Sequence, residues 1–309
     1  MKNLVVTTIG KDRPGIVAGF STLLANCSAN ILKTRASALG DLFVMVMLVD
    51  ISHANITLAE LISKLKEKGV ELGSGVAVEE PEAFQRERKL VAFDLDGTLI
   101  DTEIINELAK IKGVEREVAD ITRRALEGEV NFREALVQRV RLLKGLRMKD
   151  LEVLRKAIKV LPGAQDLIRE LKKLGFATAI ITGSFGFFAE DVGRKLGVDY
   201  VYSNKLLIDG GRLTGEFTGE IVDAESKLRV LREIAAKEKI SLDECVAVGD
   251  GANDLLIIKN SGLGVGVNPK RLVKEEADAI IDVKSLTALP AIIGFGPVKN
   301  DVIRRLKCR

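Results

Sequence analysis

Apolar and polar positions along residues 1–80 predict a small unit of strands and amphipathic helices. Its first helix is expected to begin between Asp12 and Pro14, and Thr57 is a candidate cap for a second helix that stops at Gly69. The predicted element order is βαββαβ. The predicted strands are short apolar segments, rich in β-branched residues, at Leu4–Ile9, Ile31–Leu39, Leu42–Val49 and Val70–Val78.

A charged stretch separates this unit from a different pattern. Residues 81–89 begin with Pro81 and are rich in charge, which is typical of a linker. From 90 to 309, apolar strands alternate with helical periodicity, and this alternation predicts a parallel α/β sheet flanked by helices. The predicted strands of this second part are Leu90–Phe93, Phe176–Ile181, Cys245–Val248 and Leu263–Val267.

Two further segments do not fit a simple strand–helix alternation. Residues 102–160 form a long helical pattern without a strand signal, so we expect a helical cap inserted over the sheet. Leu206–Gly219 is centred on Asp209-Gly210-Gly211, which predicts a β-hairpin. The expected organisation is a unit at 1–80, a charged linker at 81–89 and a larger domain at 90–309.

Composition and charge narrow the classes of protein. Hydrophobic residues are 47%, which excludes wholesale disorder, and the net charge of +3 with 4% aromatics gives no basic stripe for nucleic acid. Apolar runs such as Leu42–Val49 are too short to span a bilayer. The odd and scattered cysteines, Cys27, Cys245 and Cys308, form no disulfide framework. We expect a cytoplasmic protein without nucleic-acid or membrane partners.

Two carboxylates directly follow the strand predicted at 90–93. Asp94 and Asp96 alternate along an extended segment, so both can point into one site. Such a pair repels itself and loses hydration, and a hard cation with oxygen ligands is the simplest compensation. A structural aspartate pair in an ordinary loop is the alternative.

Three more polar segments are predicted at strand ends or helix starts, where open α/β sheets bind ligands. Thr182-Gly183-Ser184 offers a hydroxyl and a free N–H that suit a phosphoryl oxygen, although an ordinary strand-to-helix cap would look the same. Lys227 lies near a helix start, where the helix dipole disfavours a cation, although a solvated lysine is the commoner case. Gly249–Asp254 places two acids and an amide at a glycine-rich turn.

Taken in order, D-L-D-G-T at 94–98, I-I-T-G at 180–183, Lys227 and G-D-G-A-N-D at 249–254 resemble the haloacid-dehalogenase (HAD) phosphatases. The similarity covers roughly 90–294. The cap segments 125–134 and 139–144 are further similar to those members of the family that hydrolyse O-phospho-L-serine. Residues 1–80, with G-K-D-R-P-G at 10–15, resemble an ACT domain, a ferredoxin-like module that senses amino acids.

The resemblance implies roles for the motif residues. Asp94 would be the nucleophile that forms an aspartyl-phosphate, and Asp96 the general acid and base. Mg²⁺ would be held by Asp94, by the Asp96 carbonyl and by Asp250, with Asp254 behind them. The phosphoryl oxygens would be held by Thr182, Gly183, Lys227 and Asn253. Such a site suits phosphoryl transfer, in which catalysis is mainly positioning and charge stabilisation.

The resemblance also implies how the amino-acid end of the substrate is bound. Glu103 would bind the ammonium group, Arg139 the carboxylate, and Leu126 and Phe132 would form an apolar wall. The chain departs from the usual sequence of these members at Gly97, Leu126, Thr182 and Ser184. These departures concern the range of substrates. Another small phosphate such as phosphoglycolate, or a non-catalytic amino-acid-binding regulator, are the alternatives.

The N-terminal unit carries expectations about partners. Leu42–Val49 has few polar positions to face water, which predicts that another surface covers this sheet. Since ACT domains typically pair, the resemblance implies a homodimer and an amino-acid effector with Asp12, Gly15 and Asn30 as contacts. A purely structural dimerisation module is the alternative.

Overall fold

Strands from the whole chain join one 11-stranded sheet in the computed structural model, which describes residues 3–39, 42–85, 87–281 and 284–293. Its strands are β1 (Asn3–Lys11), β2 (Asn30–Leu39), β3 (Leu42–Asp50), β4 (Ser74–Glu79), β5 (Leu90–Phe93), β6 (Ala177–Phe185), β7 (Tyr200–Asp209), β8 (Arg212–Thr218), β9 (Cys245–Gly249), β10 (Leu263–Val267) and β11 (Ala279–Ile281). Their order across the sheet is β2-β3-β1-β4-β11-β10-β9-β5-β6-β7-β8.

Helices flank this sheet and form the cap. They are α1 (Ile16–Asn26), α2 (Leu58–Glu71), α3 (Pro81–Gln85), α4 (Ile104–Lys112), α5 (Glu115–Leu126), α6 (Phe132–Leu142), α7 (Met148–Ala157), α8 (Ala164–Lys173), α9 (Gly186–Leu196), α10 (Ala224–Glu238), α11 (Leu255–Asn260), α12 (Arg271–Glu276) and α13 (Leu289–Ile293). No helix in the described part of the chain is long and apolar enough to cross a membrane.

The N-terminal unit has the predicted βαββαβ order, with shifted boundaries. Thr57 caps α2 as predicted, because its hydroxyl accepts a hydrogen bond from the Glu60 N–H at 3.2 Å. The first helix begins later than expected, after Gly15, whose positive φ of 95° suits glycine. The second helix continues through Val70 to Glu71, so the last strand starts only at Ser74. Residues 40–41, between the predicted strands Ile31–Leu39 and Leu42–Val49, lie outside the described residues.

Both faces of the N-terminal sheet are covered by this chain. Along β3, Met45 and Met47 belong to a buried cluster with α1 and α2, as alternation along a strand requires. On the opposite face, Val46 and Leu48 pack against Phe84 of α3. The helix α13 also contacts β1. The predicted cover is therefore supplied, for the residues described, from within the same polypeptide.

The joint between the two parts is structured. β4 pairs antiparallel with β11, with Ala77 opposite Ala279, so the two sheets become one. Arg88 is buried, and its guanidinium donates hydrogen bonds to Glu79 Oε1 at 2.8 Å and to the Gly262 carbonyl at 2.9 Å. A residue of the charged stretch therefore ties β4 to the turn that precedes β10.

The second part is built around a parallel sheet. β11, β10, β9, β5, β6 and β7 run parallel, with β5 at the centre between β9 and β6. The predicted bounds of β5 and β10 agree with the structure. β6 continues past Ile181 to Phe185 after a register shift, beyond its predicted end. The β7–β8 hairpin turns at Gly210 and Gly211, both with positive φ as the sequence predicted.

The cap is anchored to the rest of the molecule through the turn between α6 and α7. The Gly145 N–H donates to the Leu213 carbonyl at 2.8 Å, and the Met148 N–H donates to the Gly211 carbonyl at 2.9 Å. In α7, Arg155 binds the buried carboxylate of Asp191 on α9 at 2.8 Å. These contacts hold one end of the cap against the β7–β8 hairpin and α9.

The buried Arg88–Glu79 pair should be a major contributor to stability. Arg88→Met removes the guanidinium that compensates a buried carboxylate, so the free energy of unfolding should fall by about 3–5 kcal/mol. Arg169→Met, which breaks an exposed pair with Asp166, should cost less than about 1 kcal/mol. Urea unfolding of both variants makes this comparison, and equal effects would contradict a structural role for the buried pair.

Candidate active site

Parallel strands place the motif residues at one edge of the sheet. Asp94 extends β5, and its N–H donates to the Val248 carbonyl of β9 at 2.9 Å. The chain then turns at Gly97, whose φ is +73°. A Cβ on Gly97 would lie 2.7 Å from Asp250 Oδ2, so glycine is required for the backbone after Asp96 to approach Asp250.

Lys227 lies at the centre of the site. It is fully buried in the first turn of α10, and its Nζ is 2.9 Å from Asp94 Oδ1 and 2.7 Å from Asp254 Oδ1. Burial alone lowers the pKa of Lys227, but the carboxylates of Asp254 and Asp94 outweigh it, so the pKa rises. The lysine is therefore a charged ammonium group, not the solvated side chain of the alternative interpretation.

The aspartate carboxylates around Lys227 outnumber its single ammonium group. Oxygen atoms of Asp94, Asp250 and Asp254 all lie within 4.8 Å of one another. Burial raises the pKa of Asp250 to about 6, with Lys270 acting against the rise. Burial and the charge of Asp94 likewise raise the pKa of Asp254, although Lys227 opposes them. These buried oxygens with surplus negative charge fit a hard divalent cation such as Mg²⁺.

The oxygens of Asp254 are already used within the protein. Oδ1 binds Lys227, and Oδ2 accepts hydrogen bonds from the Asp250 and Gly251 N–H groups, both at 3.2 Å. Asp254 therefore shapes the turn after β9.

Asp96 has an environment that favours its neutral form. Its Oδ2 accepts hydrogen bonds from the Ile104 N–H at 3.0 Å and the Ser184 hydroxyl at 3.2 Å. Burial, together with the charges of Glu103 and Asp94, raises the pKa of Asp96 well above its usual value. Oδ1 is buried and has no hydrogen-bond partner among the residues the structure describes. A protonated Asp96 can therefore offer a proton to a ligand on that side.

The segment 182–184 lies at the end of β6 and is followed at Gly186 by the start of α9, as the sequence predicted. Thr182 is buried, and its hydroxyl accepts a hydrogen bond from the Ser184 N–H at 3.1 Å. Asn204 fixes the next residue, because its amide donates to the Gly183 carbonyl at 2.6 Å and accepts from the Val222 N–H at 2.7 Å. Asn253 lies half-buried in the 3₁₀ turn after β9.

The cap brings two opposite charges towards this edge. Glu103 precedes α4, and its carboxylate is 3.3 Å from Lys270 Nζ. Arg139 on α6 donates hydrogen bonds to the Ala135 carbonyl and the Thr122 hydroxyl. Burial lowers the pKa of Arg139 while the charge of Glu103 opposes this, so the two side chains are within electrostatic reach of each other. A carboxylate and a guanidinium group placed in this way suit a zwitterionic ligand, which carries one charge of each sign.

The apolar wall predicted from the sequence is described only in part. The Phe132 ring lies next to the segment 182–184, since a Cβ on Gly183 would be 3.4 Å from its Cζ. The side chain of Leu126, at the end of α5, falls outside the described part of the chain.

The predicted effector contacts are not together in one chain. Asp12 and Gly15 follow β1 at one end of the N-terminal sheet. Asn30 pairs with Asp50, which pairs with Asn3 at the other end. The strand β1 between these ends spans about 27 Å at the usual rise of ~3.4 Å per residue.

Three polar residues of the site were not among the sequence candidates. Ser184 carried one signal, because it departs from the usual pattern beside a motif, yet its contact with Asp96 was not anticipated. Lys270 follows β10 at the ligand-binding edge, a position that the rule for open α/β sheets could have flagged. Asn204 lies in β7 and carried no signal, because only the tertiary fold brings it to Gly183.

Comparisons with known proteins agree with this geometry. Residues 91–259 match the haloacid dehalogenase-like hydrolase family, and residues 2–79 match the ACT domain. A phosphoserine phosphatase of Archaeoglobus fulgidus is 43% identical over 293 residues, covering 94% of this chain and 85% of that protein.

Solved structures share the fold over nearly the whole chain. A probable phosphoserine phosphatase from Vibrio cholerae is 27% identical with a TM-score of 0.75, covering 98% of this chain and 88% of that one. A HAD family hydrolase from Salmonella enterica serovar Typhi has a TM-score of 0.82 at 24% identity, covering 95% of this chain and 99% of that one, and supports the fold alone.

Metal binding should stabilise the folded protein. Because Mg²⁺ relieves repulsion among buried carboxylates, excess Mg²⁺ should raise the melting temperature by about 5 °C. Asp250→Asn should remove this shift, whereas Asp101→Asn, an exposed acid paired with Lys284, should retain it. Differential scanning fluorimetry with and without Mg²⁺ measures both variants. A full shift in Asp250→Asn would mean that the cation binds elsewhere.

Proposed function

The chain belongs to the haloacid dehalogenase-like hydrolases and, within them, to the phosphoserine phosphatases, and on this premise we propose that it hydrolyses O-phospho-L-serine to L-serine and phosphate with Mg²⁺ as cofactor. The observation that carries the proposal is the position of Glu103 and Arg139 beside a buried aspartate–lysine cluster. The cluster suits a phosphoryl group, and the two opposite charges suit the ammonium and carboxylate groups of an amino acid.

The first step transfers the phosphoryl group to the protein. A carboxylate oxygen of Asp94 attacks phosphorus, the bond from phosphorus to the serine oxygen breaks, and Asp96 donates its proton to that oxygen. The raised pKa of Asp96 supports this role, because a donor must be protonated when the reaction begins. The products of the step are L-serine and a phosphorylated Asp94.

The second step hydrolyses the phosphorylated Asp94 and regenerates its carboxylate. Asp96, now ionised, accepts a proton from a water molecule that attacks phosphorus, and the bond from phosphorus to Asp94 breaks. Phosphate leaves, Asp94 is a carboxylate again, and Asp96 regains its proton. The same carboxyl group thus serves as acid and then as base, consistent with its hydrogen bonds to Ser184 and Ile104, which fix its orientation.

The remaining groups stabilise charge on the transferred phosphoryl oxygens. We assign this role to the Lys227 ammonium, the Thr182 hydroxyl, the Gly183 N–H and the Asn253 amide, as electrostatic preorganisation requires. Mg²⁺, held by Asp94, the Asp96 carbonyl and Asp250, would neutralise charge between nucleophile and phosphate. Asn204 supports the arrangement, because it fixes the Gly183 carbonyl.

The cap is proposed to act as a lid that couples recognition to exclusion of water. It carries Glu103 and Arg139, whereas the nucleophile lies on the sheet. Its turn at 145–148 is bonded to the β7–β8 hairpin, so we expect closing motion in α5 and the start of α6 and little at that turn.

The N-terminal part is proposed to be an ACT regulatory module at 1–80, joined through 81–89 to the phosphatase at 90–309. The outer strand β2 has a free edge in the described sheet and is our proposed homodimer contact. Antiparallel pairing of two β2 strands would bring Asn30 of one copy to the sheet end that carries Asp12 and Gly15 in the other. An amino acid such as serine would then bind between two copies.

Substrate choice should depend on Glu103. Glu103→Gln removes the partner of the substrate ammonium group, so kcat/KM for phosphoserine should fall about 10- to 100-fold. Turnover of p-nitrophenyl phosphate, which has no ammonium group, should persist with Mg²⁺ and stop with EDTA. Glu107→Gln, in the first turn of the helix α4 that follows Glu103 and paired with Lys110, is the matched control. Equal loss on both substrates would favour another small phosphate ester, such as phosphoglycolate.

Lid closure should be visible by hydrogen exchange. When an unreactive phosphoserine analogue binds, amide exchange in α5 and the first turns of α6 should slow. Exchange at Gly145 and Met148 should change little, because their N–H groups are already bonded to the hairpin. Slowing confined to the core strands, with none in α5 or α6, would contradict a moving lid.

Serine binding by the ACT module should be measurable in the full chain. In a Glu103→Gln background, which weakens serine binding at the active site, calorimetry should still detect heat on addition of L-serine. Asp12→Ala or Asn30→Ala should abolish that heat. A dimer that is silent to all amino acids would leave only a structural role for this module.

A further inference from the structure

Lys270 stands between two carboxylates with different proposed partners. Its Nζ is 3.1 Å from Asp250 Oδ2 and 3.3 Å from Glu103 Oε1. In the proposed function, Asp250 faces the metal ion and Glu103 faces the ammonium group of the substrate. The Lys270 ammonium group therefore contacts both the acid proposed to bind the metal ion and the acid proposed to bind the ammonium group of the substrate.

The backbone fixes Lys270 in this position. Its N–H donates to the Asp250 carbonyl at 2.8 Å, so the residue is tied to the acid that it faces. Two residues earlier, the Asn268 N–H donates to the Ile281 carbonyl at 2.7 Å, which holds the loop after β10 against β11. The backbone of Lys270 is therefore positioned, whereas its side chain is held only by the two ion pairs.

The tip can leave at low cost. The Lys270 side chain is 60% exposed and that of Glu103 is 45% exposed. Pairs with this exposure contribute little net free energy, because water solvates the separated charges well. A lysine ammonium on its flexible stem also adapts more readily than a rigid guanidinium fork.

We propose that Lys270 is a specificity-determining residue whose ammonium group competes with the metal ion for Asp250 and with the substrate ammonium group for Glu103. The inference rests on the proposed function for its substrate half. A ligand with an ammonium group replaces Lys270 at Glu103. An ester without one leaves the Lys270–Glu103 pair in place, so the lysine masks a carboxylate that would otherwise repel a phosphate.

The chain provides a matched control. Lys284 Nζ binds Asp101 Oδ1 at 2.5 Å, two residues before Glu103 in the same segment leading into the cap. Lys284→Met therefore removes a comparable exposed ion pair without touching Asp250 or Glu103. Lys270→Arg keeps the competing positive charge, so it should show none of the gains expected of Lys270→Met.

The proposed competition between Lys270 and the metal ion for Asp250 is tested by titrating Mg²⁺ alone into the full chain by calorimetry, without substrate. Lys270→Met should bind Mg²⁺ about fivefold more tightly, since loss of one partly exposed competing charge has an effect of that order. Lys284→Met should match the unaltered protein, and Lys270→Arg should bind Mg²⁺ no more tightly than the unaltered protein does. Unchanged or weaker Mg²⁺ affinity in Lys270→Met would overturn competition at Asp250.

The substrate half is tested by comparing kcat/KM for phosphoserine with kcat/KM for p-nitrophenyl phosphate. Lys270→Met should raise the ratio about fivefold, mainly through a lower KM for phosphoserine relative to the other ester. A constant ratio would refute competition at Glu103, and a lower ratio would show that Lys270 instead positions Glu103. If the unaltered protein does not release phosphate from phosphoserine, the proposed function fails, while the Mg²⁺ titration still decides the metal half.

Discussion

The charge balance around the buried Lys227 determines how the side chains of the candidate active site are arranged. Lys227 is bound to Asp94 and Asp254 in a region shielded from solvent, and the carboxylate of Asp250 adds a further negative charge. Buried charges of this kind are stable only when their partners are held in place, since each would otherwise lose hydration without compensation. The ends of β5 and β9 and the first turn of α10 hold those partners. The same surplus of negative charge suits a divalent cation with a preference for oxygen ligands.

Much of this arrangement was predictable from local patterns. The central strand Leu90–Phe93 and the strand Leu263–Val267 are short apolar segments bounded by polar or glycine residues, and their bounds agreed with the structure. Because motif residues at the ends of parallel strands share one edge, the amino-acid pattern groups Asp94 with Asp250, whereas the role of Lys227 followed from the family resemblance. Contacts made by Asn204 and Lys270 could not be foreseen, because they depend on how distant loops are placed in three dimensions.

The joint between the two parts shows a different limit of sequence reasoning. The apolar character of β3 on both faces predicted a cover, but not that Phe84 and α13 of the same chain would supply it. The charge-rich composition at 81–89 indicated a linker. Composition alone, however, does not distinguish a solvated arginine from one that is buried against a carboxylate. Arg88 is the buried kind, and with the β4–β11 pairing it makes the N-terminal sheet continuous with the catalytic one. A change in the N-terminal unit therefore has a structural connection to the strands that end at the active site.

The proposed chemistry depends above all on Asp94, which must carry the phosphoryl group during turnover. Rapid acid quench of the enzyme reacting with phosphoserine and Mg²⁺, followed by peptide mass spectrometry, tests this directly. We expect a transient phosphoryl group on the peptide that spans the D-L-D-G-T motif, assigned to Asp94, and its absence without substrate. Phosphate release with no phosphorylated peptide at any quench time, or with the phosphoryl group on another residue, would contradict this role.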